Sequence, residues 1–128
     1  MKLNFRTMAT LTSLLCLVLA AAWMFTPSIP LSNWGVEFSS PVGLVARRGA
    51  ALYAGIAVMF FMARDEGPSP VRSALVMGML VTCATLAALG LFEVVMGNAK
   101  SGILTAVLIE VALAAGFWRV SRTGTTRH

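Results

Sequence analysis

The sequence predicts an all-α fold, an integral membrane bundle of four transmembrane helices arranged up-down-up-down, and three observations indicate it. Hydrophobic residues make up 58% of the 128 residues, charged residues make up 12%, and the mean hydropathy is +0.82. Four apolar stretches have about the 20 residues that cross a lipid core. The charges fall mostly between these stretches. Residues 1–118 are the predicted transmembrane domain, with helices at about 8–26, 42–63, 70–96 and 101–118.

The first helix, over about residues 8–26, contains no charge. Pro27 ends it, because proline has no backbone N–H to donate to a continuing helix. The alternative is a secretory signal peptide, since Lys2 precedes the stretch and residues 20–22 are all alanine, which fits an A-x-A cleavage site. An apolar run of about 19 residues exceeds the usual 7–15 of a signal peptide. We therefore favour a retained helix, and cleavage after Ala22 stays open.

The later helices are bounded by turn residues. A polar segment with Gly and Pro, residues 64–68, ends the second helix. Pro70 suits the first position of the third helix, and Gly97-Asn98 suits its end. Residues 119–128 form a basic tail that we expect to be disordered and cytoplasmic. Continuous apolar runs rich in Ala and Leu, without alternation, argue against strands.

The distribution of basic residues predicts the orientation. If four helices span, seven basic residues lie on one side: Lys2, Arg6, Arg64, Arg72, Arg119, Arg122 and Arg127. Three lie on the other: Arg47, Arg48 and Lys100. Both termini are therefore expected in the cytoplasm, and the connection between the first two helices outside it. The expected location is the bacterial inner membrane.

Glu110 is the deepest predicted charge. It lies ten residues after Lys100 and nine before Arg119, roughly 13–15 Å from either boundary at about 1.5 Å per residue. A charge at the centre of a spanning helix costs about 2.5–3.5 kcal/mol. Ala106 and Ala114 flank it on the same face, which favours packing against another helix over contact with lipid. We expect Glu110 to be protonated, paired, or facing a wet cavity.

Four further residues complete the candidate site. Arg47 and Arg48 open the second helix at the depth where Glu93 ends the third, so we expect a salt bridge from Arg47 to Glu93 or Glu37. Tyr53 lies deeper, where its hydroxyl approaches Glu110. Two interpretations stay open. The cluster either stabilises the bundle, or binds an anionic headgroup, a small molecule at the arginines, or a proton at Glu110.

Catalytic and metal sites are not predicted. Cys16 and Cys83 lie inside apolar stretches, and we predict that both are small, buried hydrophobic residues. The one histidine, His128, has no neighbouring ligands for a metal. H-E-x-x-H, G-x-S-x-G and P-loop motifs are absent. We therefore predict no catalytic residue, no metal, no cofactor and no nucleic-acid partner.

Three features from Arg47 to Ala114 carry a resemblance. Residues 48–55 read Arg-Gly-Ala-Ala-Leu-Tyr-Ala-Gly, Gly97-Asn98 forms a polar break, and Glu110 follows in the last helix. The stretch resembles a family of small bacterial four-helix membrane proteins, known as a domain of unknown function and similar in layout to DoxX-like proteins. The resemblance implies four helices in the bacterial inner membrane and no assigned activity. The carboxylate within a helix also resembles a feature of small multidrug transporters, although their carboxylate lies in the first helix.

The function that follows is that of a small bacterial integral membrane protein with a polar intramembrane pocket, an accessory or interaction subunit of a membrane complex. Its expected partners are the lipid bilayer and another membrane protein or a second copy of itself. The alternative is a proton- or ligand-coupled transporter or channel acting as a homo-oligomer, because four helices barely enclose a pathway. A membrane enzyme is less favoured.

Overall fold

The computed structural model describes residues 4–125, with side chains through residue 122, and it is helical without strands over that range. Its elements are α1 (Phe5–Phe25), α2 (Ser28–Trp34), α3 (Ser40–Ala63), α4 (Pro70–Val95) and α5 (Ile103–Thr125). All but α2 are long and apolar enough to cross a membrane, with mean hydropathies from 1.4 to 2.2. The predicted all-α, four-helix fold class is confirmed, and the chain is a small multi-pass membrane protein.

Side-chain caps set where the spanning helices begin. Asn4, Ser39 and Ser69 each accept a hydrogen bond from the backbone N–H three residues later, over 2.8–3.3 Å. Each cap satisfies one of the N–H groups that a helix leaves unpaired at its start. Pro41 and Pro70 occupy the first turns of α3 and α4, where a missing N–H costs nothing.

The connection between α1 and α3 contains the short helix α2, which the sequence did not predict. Pro30 falls within its first turn, where proline is tolerated. Gly35 ends it with φ +79°, in the left-handed region that favours glycine. The Gly35 N–H donates to the Ser32 carbonyl over 3.1 Å, which closes the last turn. The chain therefore folds back onto the bundle here instead of forming an irregular loop.

The bundle consists of two helix pairs. α1 packs along α3, α4 packs along α5, and the pairs meet chiefly where α1 contacts α5. Small residues permit the close approaches, since a Cβ at Gly90 of α4 would lie 2.6 Å from Val107 of α5. Between α1 and α3, the buried Ser13 hydroxyl donates to the Ala57 carbonyl over 2.7 Å.

Two buried clusters close the ends of the bundle. One lies where α1 begins and α5 ends: Phe5, Met8, Ala9, Phe60, Val76, Met79, Cys83, Phe117 and Val120. The other, at the opposite end, has Trp23, Leu31 and Ala50 at its centre. Most other apolar side chains face outward, since only 17–39% of each spanning window is buried within the bundle. The space between the two clusters contains the candidate site.

The last helix is longer than expected. α5 continues through Arg119 and Arg122 to Thr125, so the basic residues assigned to a disordered tail belong to helical turns. Residues 126–128, including Arg127 and His128, lie outside the described residues.

Candidate functional site

Glu110 is the eighth residue of α5, and one oxygen of its carboxyl group has no hydrogen-bond partner among the described residues. Its side chain is half-buried, and its Oε2 atom is buried without a hydrogen bond to any described residue. Buried polar atoms in folded proteins are nearly always hydrogen-bonded, and each exception calls for an explanation. A carboxyl group in such a place can take a hydrogen bond or a cation from a visiting molecule, or exchange a proton.

A central cavity of about 90 Å³ lies against Glu110 and is lined from all five helices. Tyr53 of α3 and Thr82 of α4 contribute hydroxyl groups, and most of the remaining lining is apolar. Tyr53 and Glu110 thus line the same cavity. No hydrogen bond joins the two residues in the described structure.

A second cavity, of about 130 Å³, lies between α4 and α5. Glu93 and Glu110 both line it, together with Leu89, which is 52% exposed at its edge. The two cavities share four lining residues: Trp34, Leu86, Ala106 and Glu110. Glu110 therefore stands in the wall between an interior cavity and a groove between α4 and α5.

The predicted arginine pair does not form. Arg47 and Arg48 are exposed and line neither cavity at Glu110. The ion pairs among the described residues are Arg6–Asp65, at 2.7 Å, and Arg64–Asp65, at 3.9 Å, so Arg47 binds neither Glu93 nor Glu37. The reason is helix neighbourhood. Arg47 belongs to α3, which packs on α1, whereas Glu93 belongs to α4, which packs on α5.

The helix α2 covers both cavities through Trp34, which lines each of them. The sequence did not reveal this role of Trp34. The Trp34 ring packs on the Trp23 ring with 5.0 Å between centroids. Its carbonyl accepts a hydrogen bond from the Lys100 N–H over 2.9 Å. Beside it, the Asn33 carbonyl lies where a Cβ at Gly102 would stand. The sequence gives no sign of these contacts, because contacts between residues distant in the chain leave no local pattern.

The positions of the two cysteine thiols are consistent with a role in packing. Cys16 and Cys83 are both buried free thiols, as predicted, and both line the central cavity. The Cys83 Sγ lies 3.6 Å from the Met79 Sδ. Within residues 4–122, no three His, Cys, Asp or Glu side chains are placed to hold a metal ion together.

A third cavity, larger than these two, lies at the opposite end of the α4–α5 pair and was not predicted. It measures about 330 Å³, and Arg72 and Arg122 line it with two serines. A signal for it existed in the sequence. Consecutive antiparallel helices bring the start of one beside the end of the next, so Arg72 and Arg122 share one depth.

No family model matches the chain, and no curated protein and no solved structure is significantly similar to it. The fold and the site therefore define the class of this protein. It is a small helical membrane protein with four spans and a carboxyl group between two cavities. The resemblance described from Arg47 to Ala114 stays a prediction.

Proposed function

We propose that this protein is an accessory or interaction subunit of a membrane complex in the bacterial inner membrane, and that it works through the pocket around Glu110. The observation that carries the proposal is the buried, unpartnered Oε2 of Glu110. Leaving such an atom unsatisfied costs about 1–3 kcal/mol, and more where the group is charged. A molecule that donates a hydrogen bond to this oxygen recovers that free energy.

The groove between α4 and α5 is the route by which a partner helix reaches Glu110. Its lining is mostly apolar, with Ala106 as a small residue beside Glu110. Small residues let a second helix approach closely, and polar side chains then join helices by hydrogen bonds within the membrane. A partner helix with a Ser, Asn or Lys side chain at the depth of Glu110 has the required chemistry.

Site-specific photo-crosslinking in living cells tests this role. A photoreactive residue at Leu89, beside the groove, is expected to cross-link to a distinct membrane protein. Leu52, which is 71% exposed on α3, is the control position and should not. Glu110→Gln should weaken the cross-link at position 89 without lowering the melting temperature in detergent. Equal cross-linking from both positions, or a product unaffected by Glu110→Gln, would contradict the proposal.

The alternative function, a proton- or ligand-coupled transporter acting as a homo-oligomer, rests on a different observation. Glu110 lines two cavities at once, the central cavity and the groove between α4 and α5. Proton flux in proteoliposomes under a pH gradient tests it, with Glu93→Gln as the matched control because Glu93 lines only the groove. The transporter predicts that Glu110→Gln abolishes flux and Glu93→Gln preserves it. A stable and fully active Glu110→Gln protein would refute it.

A further inference from the structure

The central cavity of about 90 Å³ has one carboxyl group and no positively charged side chain in its wall. The carboxyl group is that of Glu110, whereas the arginines and the lysine among the described residues lie outside the lining. The ion pairs of the described chain do not involve Glu110, and its buried Oε2 atom has no hydrogen-bond partner there. The cavity therefore presents an acidic group that no described side chain neutralises.

The neighbouring polar groups of the cavity wall do not satisfy this oxygen. The Thr82 hydroxyl already donates to the Gly78 carbonyl over 2.8 Å, within its own helix. The Cys83 Sγ lies 3.6 Å from the Met79 Sδ. An occupant of the cavity is needed to supply the hydrogen bond that the Glu110 Oε2 lacks. A positively charged donor forms the stronger bond, because it also balances the charge of the carboxylate.

Three aromatic residues line the same cavity: Trp23, Trp34 and Tyr53. The Trp23 and Trp34 ring centroids lie 5.0 Å apart with the rings inclined at 55°, so the two rings are not stacked face to face. The face of an aromatic ring attracts a cation within about 6 Å of its centre, and tryptophan does so best. Aromatic rings beside a carboxylate therefore suit an alkylated ammonium group, which carries its positive charge on an apolar surface.

The volume of the cavity limits the size of its occupant. An apolar cavity of about 150 Å³ in a protein accommodates benzene. The central cavity, at about 90 Å³, is smaller, so a ligand of roughly four or five non-hydrogen atoms fits it. Methyl groups match the leucine and isoleucine side chains that make up much of the lining. A methylated ammonium ion combines the required charge, size and apolar surface.

We propose that the central cavity binds a small alkylated ammonium ion, whose N–H group donates to the Glu110 Oε2 and whose methyl groups contact the apolar wall and the aromatic rings. The inference rests on the Glu110 site of the proposed function. It concerns the central cavity, whereas the partner helix reaches Glu110 from the groove between α4 and α5. Cross-linking at position 89 tests the partner and ligand binding tests the cavity, so each can fail while the other holds.

Thermal stability of the full chain in an uncharged detergent, titrated with trimethylammonium chloride, tests the site. A ligand that binds only the folded protein raises the melting temperature. Trimethylammonium should do so, whereas equal concentrations of tert-butanol, sodium chloride and tetraethylammonium chloride should have little effect. tert-Butanol has methyl groups and an O–H donor but no charge, sodium chloride supplies ionic strength alone, and tetraethylammonium is too large for the cavity. These comparisons use the native chain, so they decide the question without any variant.

Two variants locate the binding site. Glu110→Gln keeps the shape of the side chain and should weaken the apparent affinity for trimethylammonium about tenfold or more, because a charge-assisted hydrogen bond is lost. Glu37→Gln is the matched control, with the same change in net charge at an exposed residue that lines neither cavity at Glu110, and should keep the native affinity. Equal losses in the two variants would show non-specific attraction and overturn the proposal. An absence of stabilisation by trimethylammonium, or an equal effect of tert-butanol or tetraethylammonium, would overturn it too.

Discussion

Two neighbouring polar side chains in α1 differ in how their hydroxyl groups are satisfied. The buried Ser13 donates to the Ala57 carbonyl of α3 over 2.7 Å, whereas the hydroxyl oxygen of Thr12 is buried without a hydrogen-bond partner among the described residues. A buried hydrogen bond contributes about 0.5–1.5 kcal/mol net, and an unsatisfied buried group costs about 1–3 kcal/mol. Adjacent positions in one helix therefore have opposite effects on stability.

The first prediction compares substitutions at these two residues. Ser13→Ala should lower the free energy of unfolding by about 0.5–1.5 kcal/mol, because it removes the bond between α1 and α3. Thr12→Val keeps the shape of the side chain and removes the unsatisfied hydroxyl, so its melting temperature should rise. Thermal unfolding in one detergent, followed by circular dichroism, measures both. A fall for Thr12→Val as large as that for Ser13→Ala would contradict this interpretation.

The second prediction concerns the exposed arginines of α3. The sequence pattern predicted a salt bridge from Arg47 to Glu93 or Glu37, in which case loss of Arg47 would destabilise the protein more than loss of Arg48. Neither forms an ion pair among the described residues, and both are exposed. Arg47→Ala and Arg48→Ala should each change the free energy of unfolding by no more than about 0.5 kcal/mol. A clearly larger loss for Arg47→Ala in chemical denaturation would restore the salt bridge as an explanation.

At the scale of the helices, close packing within the α4–α5 pair depends on Gly90. A Cβ there would lie 2.6 Å from Val107 Cγ2, and valine has little rotamer freedom with which to move away. Nothing lies within 4 Å of a Cβ at Gly78 on the same helix. The two glycines therefore differ in packing but share a helix and a membrane environment.

The third prediction uses that difference. Gly90→Ala should destabilise the protein by about 1–3 kcal/mol through overpacking. Gly78→Ala should leave stability unchanged or slightly higher, since alanine is the better helix former. The melting temperatures of both variants in the same detergent provide the comparison. Equal destabilisation would mean that α4 responds to any added methyl group, and that the approach to Val107 is not the cause.

Sequence reasoning predicted the spanning helices because each produces a strong local signal of length and hydropathy. It did not predict α2, because seven residues that follow one proline, contain another in the first turn and end at a glycine resemble a loop. It also predicted that Glu93 and Arg47 lie at one depth, but it could not tell which helices are neighbours. Depth follows from counting residues along a helix, whereas neighbourhood depends on side-chain packing between helices far apart in the chain.

At the scale of the whole molecule, the described charges are distributed unevenly between the two ends. One end carries five arginines: Arg6, Arg64, Arg72, Arg119 and Arg122. The other carries Arg47, Arg48 and Lys100. Basic residues in short flanking segments are retained on the cytoplasmic side during insertion. This imbalance supports the proposed orientation with both termini inside.

The fourth prediction tests that orientation directly. Alkaline phosphatase fused after residue 35 should be active, because the α1–α3 connection is expected outside the cytoplasm, and the same enzyme fused at residue 128 should be inactive. A fluorescent protein that matures only in the cytoplasm should give the reverse pattern. An active phosphatase at the C-terminus would overturn the orientation, as would a mature protein that begins after Ala22.

The candidate site could be predicted only in part. Glu110 stood out because a carboxyl group in the middle of an apolar helix is costly, and Tyr53 followed from its depth. Trp34 and the Arg72–Arg122 cavity were missed, since both arise where separate helices meet. Polar residues buried in a membrane are visible in a sequence, whereas the shape of the space around them is not.

The pairing of α1 with α3, and of α4 with α5, has a consequence for biosynthesis. Chains emerge from the ribosome N-terminus first, so α1 and α3 can associate while the second half is still being made. The helix that carries Glu110 is synthesised after the other four described helices. Its carboxyl group therefore enters the bilayer after α1 and α3 have been made, and the cost of dehydrating that group arises later than their association.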